Sequence, residues 1–493
     1  MRSCLNKKTP ALIAGMSALL LSCAEEKPSQ PNIIVIFCDD LGYGDLSCYG
    51  SVWNQTPEID RMAVEGVRFT DFYAGAPVCT PSRAALMTGS YARRVDLDLD
   101  HNNFWVLFPG GKKGINPDET ILPEVLKEAG YATAIIGKWH LGDQPVFFPT
   151  NHGFDYYYGI PYSNDMGIQV DEGRWLPLMR NDSIIELVGS GGGTPELRKR
   201  TIEDQSLLTK KLTEETMKWI SENKDGPFFL YLAHIMPHVP VAAREEFHSL
   251  TSHPRAHFGG CIAEISWSTG VILDYLREHN LAENTLVIFT SDNGGAPGAG
   301  SSNGVLREGK GRIYEGGVRV PFIAWWPGTI EQGTTCHAPA SVLDFYHTFA
   351  ALANHPINDG VIRDGIDISD YFFNPGAPRE PRPYFYWHAG YLMAVRYGEW
   401  KLNLLGQFSE EERANIMKST YSITRFPDDI ELYNLQRDPG ETNDVSDNHT
   451  DVVEKIMAMA KEQRSALGQY NDRGPEVRRT ISVESPQRLL QDN

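Results

Sequence analysis

Cys79-Thr80-Pro81-Ser82-Arg83 places a thiol, a helix start and a permanent cation within five residues. Thr80 can cap a helix, Pro81 suits its first position, and Ala84-Ala85-Leu86 propagate it. A helix N-terminus favours anions and lowers a thiol pKa. Arg83 adds a fork of donors that matches phosphate- or sulfate-like oxygens. This spacing predicts a reactive cysteine in an anion site. For an isolated pentapeptide, a buried cysteine at a helix start is the commoner case, so the other chemically able residues decide. Asp39, Asp40, Asp292 and Asn293 offer only oxygen, and hard oxygen donors suit calcium or magnesium better than zinc. Taken singly, Asp39-Asp40 is a turn with a helix cap, and Asp292-Asn293-Gly294-Gly295 is a turn signal. Lys138, His140, His238 and Lys310 are the candidate cations and proton carriers. His238 lies in Pro237-His238-Val239-Pro240, a rigid loop able to aim an imidazole. Lys310 lies in the Gly-rich run Gly309 to Arg319, which matches neither a P-loop nor a dinucleotide fingerprint.

The elements that must position these groups are strands. Ile33 to Phe37 is an apolar, β-branched run of the buried parallel type and ends in Cys38-Asp39-Asp40. Leu286 to Phe289 repeats it before Thr290-Ser291-Asp292-Asn293. Ala132 to Ile136 leads into Gly137-Lys138-Trp139-His140, and Phe228 to Leu232 leads into His234 and His238. Helical spacing lies between: Thr56 to Gly66, Asp118 to Ala129, Leu208 to Trp219, and Cys261 to Arg277. The alternation predicts an α/β fold with a large, mainly parallel sheet flanked by helices. Ligands of open α/β sheets collect at the carboxyl ends of the strands. Four runs ending in metal- or anion-type residues therefore predict one shared site.

Five segments resemble the motifs of the formylglycine-dependent sulfatases, in family order. They are Asp39-Asp40-Leu41-Gly42-Tyr43-Gly44-Asp45, Cys79 to Gly89, Gly137 to Gly142, Ser291 to Gly294, and Gly309 to Arg319. The resemblance runs from about residue 31 to 445. It is nearest in character to the arylsulfatase A and N-acetylgalactosamine-6-sulfatase branch, as at Gly159 to Asp165. It implies an alkaline-phosphatase-like sheet, and a Cys79 oxidised to formylglycine by a formylglycine-generating enzyme or a radical maturase. It also implies one calcium held by Asp39, Asp40, Asp292, Asn293 and the modified residue 79. Arg83 and Lys138 would orient the formylglycine hydrate, and Asp292 would help deprotonate it. His238 or Lys310 would protonate the leaving oxygen, and His140 would act as the base that expels sulfate. Glu315 and Arg319 would support the Lys310 loop. The implied substrate is a sulfated carbohydrate, with His101, Trp105, Asp165, Arg174, Trp175, Trp387 and His388 as candidate sugar contacts. The competing readings are a phosphonate or phosphodiester hydrolase of the same superfamily and an inactive glycan-binding lipoprotein.

The chain has 493 residues and a net charge of −19, which argues against nucleic-acid binding. An anion site here must be a local positive well. Arg2, Lys7 and Lys8 precede the short apolar stretch Ala11 to Leu21, and Leu20-Leu21-Ser22-Cys23 resembles a bacterial lipobox. Residues 1–23 read as a lipoprotein signal and 24–30 as a tether, which predicts an exported protein lipid-anchored through Cys23. That places it on the periplasmic or cell-surface side of a Gram-negative-type bacterium. Cys38, Cys48, Cys261 and Cys336 allow three disulfide pairings or free thiols. Residues 31–375 read as the catalytic domain. Pro375, Pro378, Pro381 and Pro383 mark a linker to a smaller α+β subdomain, 376–493, with an antiparallel sheet. Its tail, from about Gly474, is polar and reads as disordered.

Overall fold

In the first strand, Ile33, Val35 and Phe37 join one hydrophobic cluster, while Ile34, Ile36 and Cys38 join another. Such alternation with both faces apolar is what a strand covered on both sides requires. The computed structural model describes residues 30–420, 422–423 and 425–490; the predicted signal and Cys23 lie outside them.

The main sheet is built from β1 (Asn32–Cys38), β2 (Val67–Tyr73), β3 (Ala132–Lys138), β4 (Tyr156–Ile160), β5 (Ile168–Val170) and β6 (Gly173–Arg180). It continues with β7 (Ser183–Gly192), β8 (Phe228–Ala233), β9 (Thr285–Ser291), β10 (Arg319–Trp325), β11 (Thr334–Cys336) and β12 (Ala340–Ser341). The order is β11-β2-β10-β9-β1-β8-β3-β4-β6-β5, with β12 beside β2 and β7 beside β6. From β9 to β4 the strands are parallel. On one side β10 pairs antiparallel with β9 and β2, and on the other β6 pairs antiparallel with β4, β5 and β7. The four predicted runs fall in β1, β9, β3 and β8. The helices Pro57–Glu65, Leu208–Asn223 and Ala256–Glu278 bury Ile59, Leu212 and Ile265 on one face. Cys79–Thr88, Leu122–Glu128 and Phe345–Leu352 bury Leu86, Val125 and Phe349 on the other. The second helix of that face starts at Leu122, four residues after the expected Asp118. Its entry is fixed by Glu124, whose carboxylate accepts the Ile121 N–H at 2.7 Å.

A second, antiparallel sheet follows in the order β13 (Pro383–His388), β14 (Tyr391–Tyr397), β15 (Trp400–Asn403) and β16 (Glu431–Asn434). Helix Thr450–Leu467 packs on it through Ile456 and Ala460, in the same cluster as Val35. A buried charge network crosses between the sheets. Glu315 accepts hydrogen bonds from Tyr73 (2.6 Å), Tyr386 (2.8 Å) and Lys401 (3.1 Å). Lys401 also pairs with Glu441 at 2.8 Å.

The tail departs from expectation. Instead of being disordered, residues 474–490 lie against the main layer. The Arg478 guanidinium grips the buried Glu119 carboxylate with both arms, at 2.7 and 3.1 Å. Thr480 donates to the Gly114 carbonyl (2.6 Å), and the Val483 N–H donates to the Lys112 carbonyl (2.9 Å). A polar segment needs no core of its own when buried partners elsewhere take its hydrogen bonds. Cys38, Cys48, Cys261 and Cys336 form no disulfide among the described residues.

Burial pushes the Glu441 carboxyl up from 4.5 to about 7, against the pull of Lys401. The folded protein thus holds this proton more tightly than the unfolded chain. The resulting stability is present below the unfolded pKa and lost as pH rises through about 7. Glu441→Gln should keep Tm near the native value at about pH 5 and raise it relative to native at about pH 8. Equal shifts at both pH values in thermal melts would contradict this.

Candidate active site

β1 and β9 run parallel with Cys38 opposite Ser291, so Asp39-Asp40 and Asp292-Asn293 emerge side by side at the carboxyl end of the sheet. From β1 the order proceeds to β8 and β3 on one side and to β9 on the other, and the crevice of an open α/β sheet forms at such a point. Lys138 ends β3, and the loop after β8 brings His238. Gly137, with φ of +123°, fits where a Cβ would stand 1.8 Å from the Ala233 carbonyl oxygen. Only glycine lets β3 approach β8 this closely, directly before Lys138.

The side chains interlock. Lys138 Nζ donates to Asp39 Oδ2 (2.6 Å) and Ser163 Oγ (3.2 Å). Lys310 Nζ donates to Asp40 Oδ2 (2.8 Å), and Asn293 Nδ2 to Asp40 Oδ1 (2.8 Å). Arg83 is wholly buried; its Nη2 and Nε bind Asp292 Oδ2 at 2.8 and 3.2 Å, and its Nη1 reaches the Lys138 carbonyl and the Tyr231 hydroxyl. His238 Nδ1 lies 2.9 Å from Asn164 Oδ1 and 2.6 Å from the Val239 carbonyl, which leaves Nε2 on the side of Asp40, at 3.7 Å. His140 Nε2 donates to the Leu107 carbonyl (3.0 Å), and its buried Nδ1 has no hydrogen-bond partner among the described residues.

Burial and Asp39 together push Asp292 up to about 7, against the pull of Arg83. Burial also acts to raise Asp39, but Lys138, His238 and Arg83 outweigh it and hold that carboxyl well below the usual range. Burial, helped by Lys138, keeps His140 neutral, far below the ordinary imidazole value. The Cys79 thiol moves opposite to the helix-terminus expectation. It opens helix Cys79–Thr88 directly, with Val78 as the capping residue, and burial raises its pKa although Lys138 and Lys310 oppose. Thr80, the expected cap, donates instead to the His140 carbonyl.

The donor set fits a divalent cation. Asp39 Oδ1 and Asn293 Oδ1 are buried without hydrogen-bond partners among the described residues; the nearest cation to the former, Arg83 Nη2, is 3.8 Å away. One ligand atom each from Asp39, Cys79 and Asp292 lies within 4.8 Å of the others, as for Asp39, Asp40 and His238. Buried oxygen acceptors left unpaired cost free energy that a hard cation removes.

A cleft of about 710 Å³ opens over this cluster. Cys79, His238 and Lys310 form its floor, and Trp105, Asp165 and Arg174 line its wall. The other candidate sugar contacts are placed elsewhere. His101 lies outside the lining, beside Asp100 at 3.8 Å. Trp175 sits under the Arg200 guanidinium at 4.5 Å. Trp387 and His388 are buried, because β13 turns these rings inward; His388 packs behind Trp105 with ring centroids 5.5 Å apart. Sequence reasoning missed Ser163, Tyr231 and Arg488. Ser163 stands inside the quoted Gly159 to Asp165 motif and was legible there. Tyr231 is one aromatic in an apolar strand and gives no signal. Arg488 belongs to the tail.

Calcium added to chelator-treated protein should raise Tm, because a ligand that binds the folded state stabilises it. Asn293→Leu should reduce that rise. No shift in a thermal melt at saturating calcium would count against a cation at this place.

The family model described as Sulfatase matches residues 31–355, and that described as the C-terminal region of aryl-sulfatase matches 379–482. The N-acetylgalactosamine-6-sulfatase of Canis lupus familiaris is 36% identical over 471 residues, covering 89% of this chain and 87% of the relative. Arylsulfatase A of Homo sapiens is 37% identical over 447 residues, covering 86% and 84%. Among solved structures, Ps i-CgsB in complex with k-i-k-neocarrahexaose superposes with a TM-score of 0.72 at 29% identity, covering 88% of this chain and 93% of that one. With its anion-type residues gathered at one sheet end and these relatives spanning nearly its whole length, the chain belongs to the sulfatase family and is a sulfuric ester hydrolase.

Proposed function

We propose that this protein removes O-sulfate from carbohydrates, with residue 79 acting as formylglycine and one calcium held by Asp39, Asp40, Asp292, Asn293 and residue 79. The observation that carries the reading is the pair of buried oxygens, on Asp39 and Asn293, that no hydrogen bond satisfies among the described residues, in a cluster where Asp39, Asp292 and Cys79 converge. The carbohydrate is supported by the relatives: one is named for a sulfated amino sugar, and another was solved with a neocarrahexaose. The cleft volume also lies within the ~300–1,000 Å³ usual for small-molecule sites.

Calcium would supply positive charge to a sulfate oxygen. A formylglycine hydrate would supply one hydroxyl to attack sulfur and a second whose deprotonation regenerates the aldehyde. The chain's own residues do the rest. Arg83 and Lys138, both buried and charged, fix and neutralise the oxygens around residue 79. Asp292 takes up the proton of the attacking hydroxyl. His238 or Lys310, both on the cleft floor, gives a proton to the leaving alcohol oxygen. His140 accepts the last proton at Nδ1, the atom left open by its Nε2 bond to Leu107.

The reading extends to the cell. A formylglycine-generating enzyme or a radical maturase would modify Cys79. The protein would be exported and anchored by lipid on Cys23, facing the periplasm or the cell exterior. The −19 charge fits a protein with no nucleic-acid partner.

Cys79→Ser should abolish turnover while leaving Tm near native, and the native-host peptide spanning Cys79 should carry the mass of formylglycine. Faster hydrolysis of the phosphate than of the sulfate ester of one alcohol would overturn the choice of bond. His238→Ala should slow alkyl sulfates by about 100-fold or more and aryl sulfates far less, because a good leaving group needs little protonation. Equal losses on both substrates would remove His238 from the acid role.

A further inference from the structure

Arg488 sits in the cleft lining with Cys79, His238 and Lys310, although it comes from the far end of the chain. We propose that it binds a second anionic group of the substrate, beyond the sulfate that is removed. This rests on the carbohydrate-sulfatase reading and deepens it: the preferred substrates are glycans carrying at least two oxyanions.

Three observations carry the assignment. First, the backbone around Arg488 is anchored on both sides. The Gln487 N–H donates to the buried Gln144 Oε1 at 2.8 Å, and Gln144 Nε2 returns a bond to the Gln487 carbonyl at 2.9 Å. Leu489 and Leu490 pack onto the hydrophobic core. Second, space has been made for the side chain. Gly110 has φ of +71°, and a Cβ there would stand 2.8 Å from Arg488 Cγ. Third, the guanidinium is uncommitted. Lys138, Lys310 and Arg83 each hold a carboxylate within 2.8 Å. Arg488 is exposed and holds no hydrogen-bond or ion-pair partner among the described residues. The acid beside its anchor, Asp143, spends its oxygens on the Gly110 N–H (2.6 Å) and the Gln144 amide (3.0 Å).

A fixed backbone with an unpaired guanidinium at a cleft wall is suited to an arriving oxyanion, which it can grip with two parallel N–H donors. In a chain of charge −19, such a cation also keeps the cleft attractive to polyanions. Arg174 is a further cation in the lining and donates to the Gly167 backbone carbonyl, whereas Asp165 is the opposing acid. The inner cluster reads the sulfate to be cleaved, and Arg488 reads its neighbour.

The test uses three disaccharides: one with a single sulfate, one with two sulfates, and one with a single sulfate and a uronate carboxylate. Affinities are measured by calorimetry on Cys79→Ala protein, alone and combined with Arg488→Gln or Arg488→Lys. Arg488→Gln should weaken the disulfated sugar about tenfold and the monosulfated sugar less than about twofold, and Arg488→Lys should recover part of the loss. A matching loss with the uronate sugar assigns the site to oxyanions in general; a loss confined to the disulfated sugar assigns it to sulfate. Equal losses on all three, or none on any, overturn the proposal. Turnover by native protein is read in parallel. Inactivity on all three sugars sinks the carbohydrate-sulfatase reading itself, whereas activity without Arg488-dependent selectivity sinks the proposal alone.

Discussion

Three carboxyl groups buried side by side are the constraint on which this structure is built. Asp39, Asp40 and Asp292 are all almost wholly inaccessible at the ends of adjacent strands. Like charges so placed cannot all be ionised without compensation. The compensation comes from distant parts of the chain: Arg83 from a helix start, Lys138 from a strand end, Lys310 from a glycine-rich loop. Lys138 holds Asp39, Lys310 holds Asp40, and Arg83 holds Asp292 while lying 3.8 Å from Asp39; the oxygens that no hydrogen bond satisfies among the described residues suit a cation. The sheet order that places β1 between β8 and β9 follows from the same need, because it lets these segments meet.

The same logic recurs between the two sheets. Glu315 is buried among Lys401, Tyr73 and Tyr386, and Lys401 is shared with Glu441. Although burial acts to raise Glu315, Lys401, Arg319 and Arg396 bring it down to about 2. Glu315 follows directly on the Lys310 loop, so the small sheet holds that loop by charge as well as by packing. Glu315 makes this connection to the C-terminal sheet, whereas Arg319 binds Asp71 and the Thr70 carbonyl in the main sheet.

Strands ending in ligand-type residues were legible because two signals coincide in them: apolar β-branched runs and the polar residues that stop them. The central parallel strands, and the polar residues that gather at their ends, could therefore be read from residue types alone. The hairpins β5–β7 were not legible, since their alternation is weak and β7 leaves Ile184, Ile185 and Leu187 exposed. Aromatic residues misled in both directions. Trp387 and His388 resembled sugar contacts and are core, whereas Tyr231 looked like core and touches Arg83. Composition describes what a side chain can do, and only packing decides which way it faces. The tail failed for a related reason: its polar residues find buried partners more than 300 positions away in sequence, and no local pattern records that.

That separation has a consequence in time. The acid cluster and the cations that hold it lie between positions 39 and 310, whereas Arg488 joins the same cleft from a segment far beyond them in sequence. Contacts of such long sequence separation must overcome the entropy of closing the loop between them. The groups around the acid cluster are thus synthesised before Arg488, and the cleft takes its full outline only when that later segment has docked beside them.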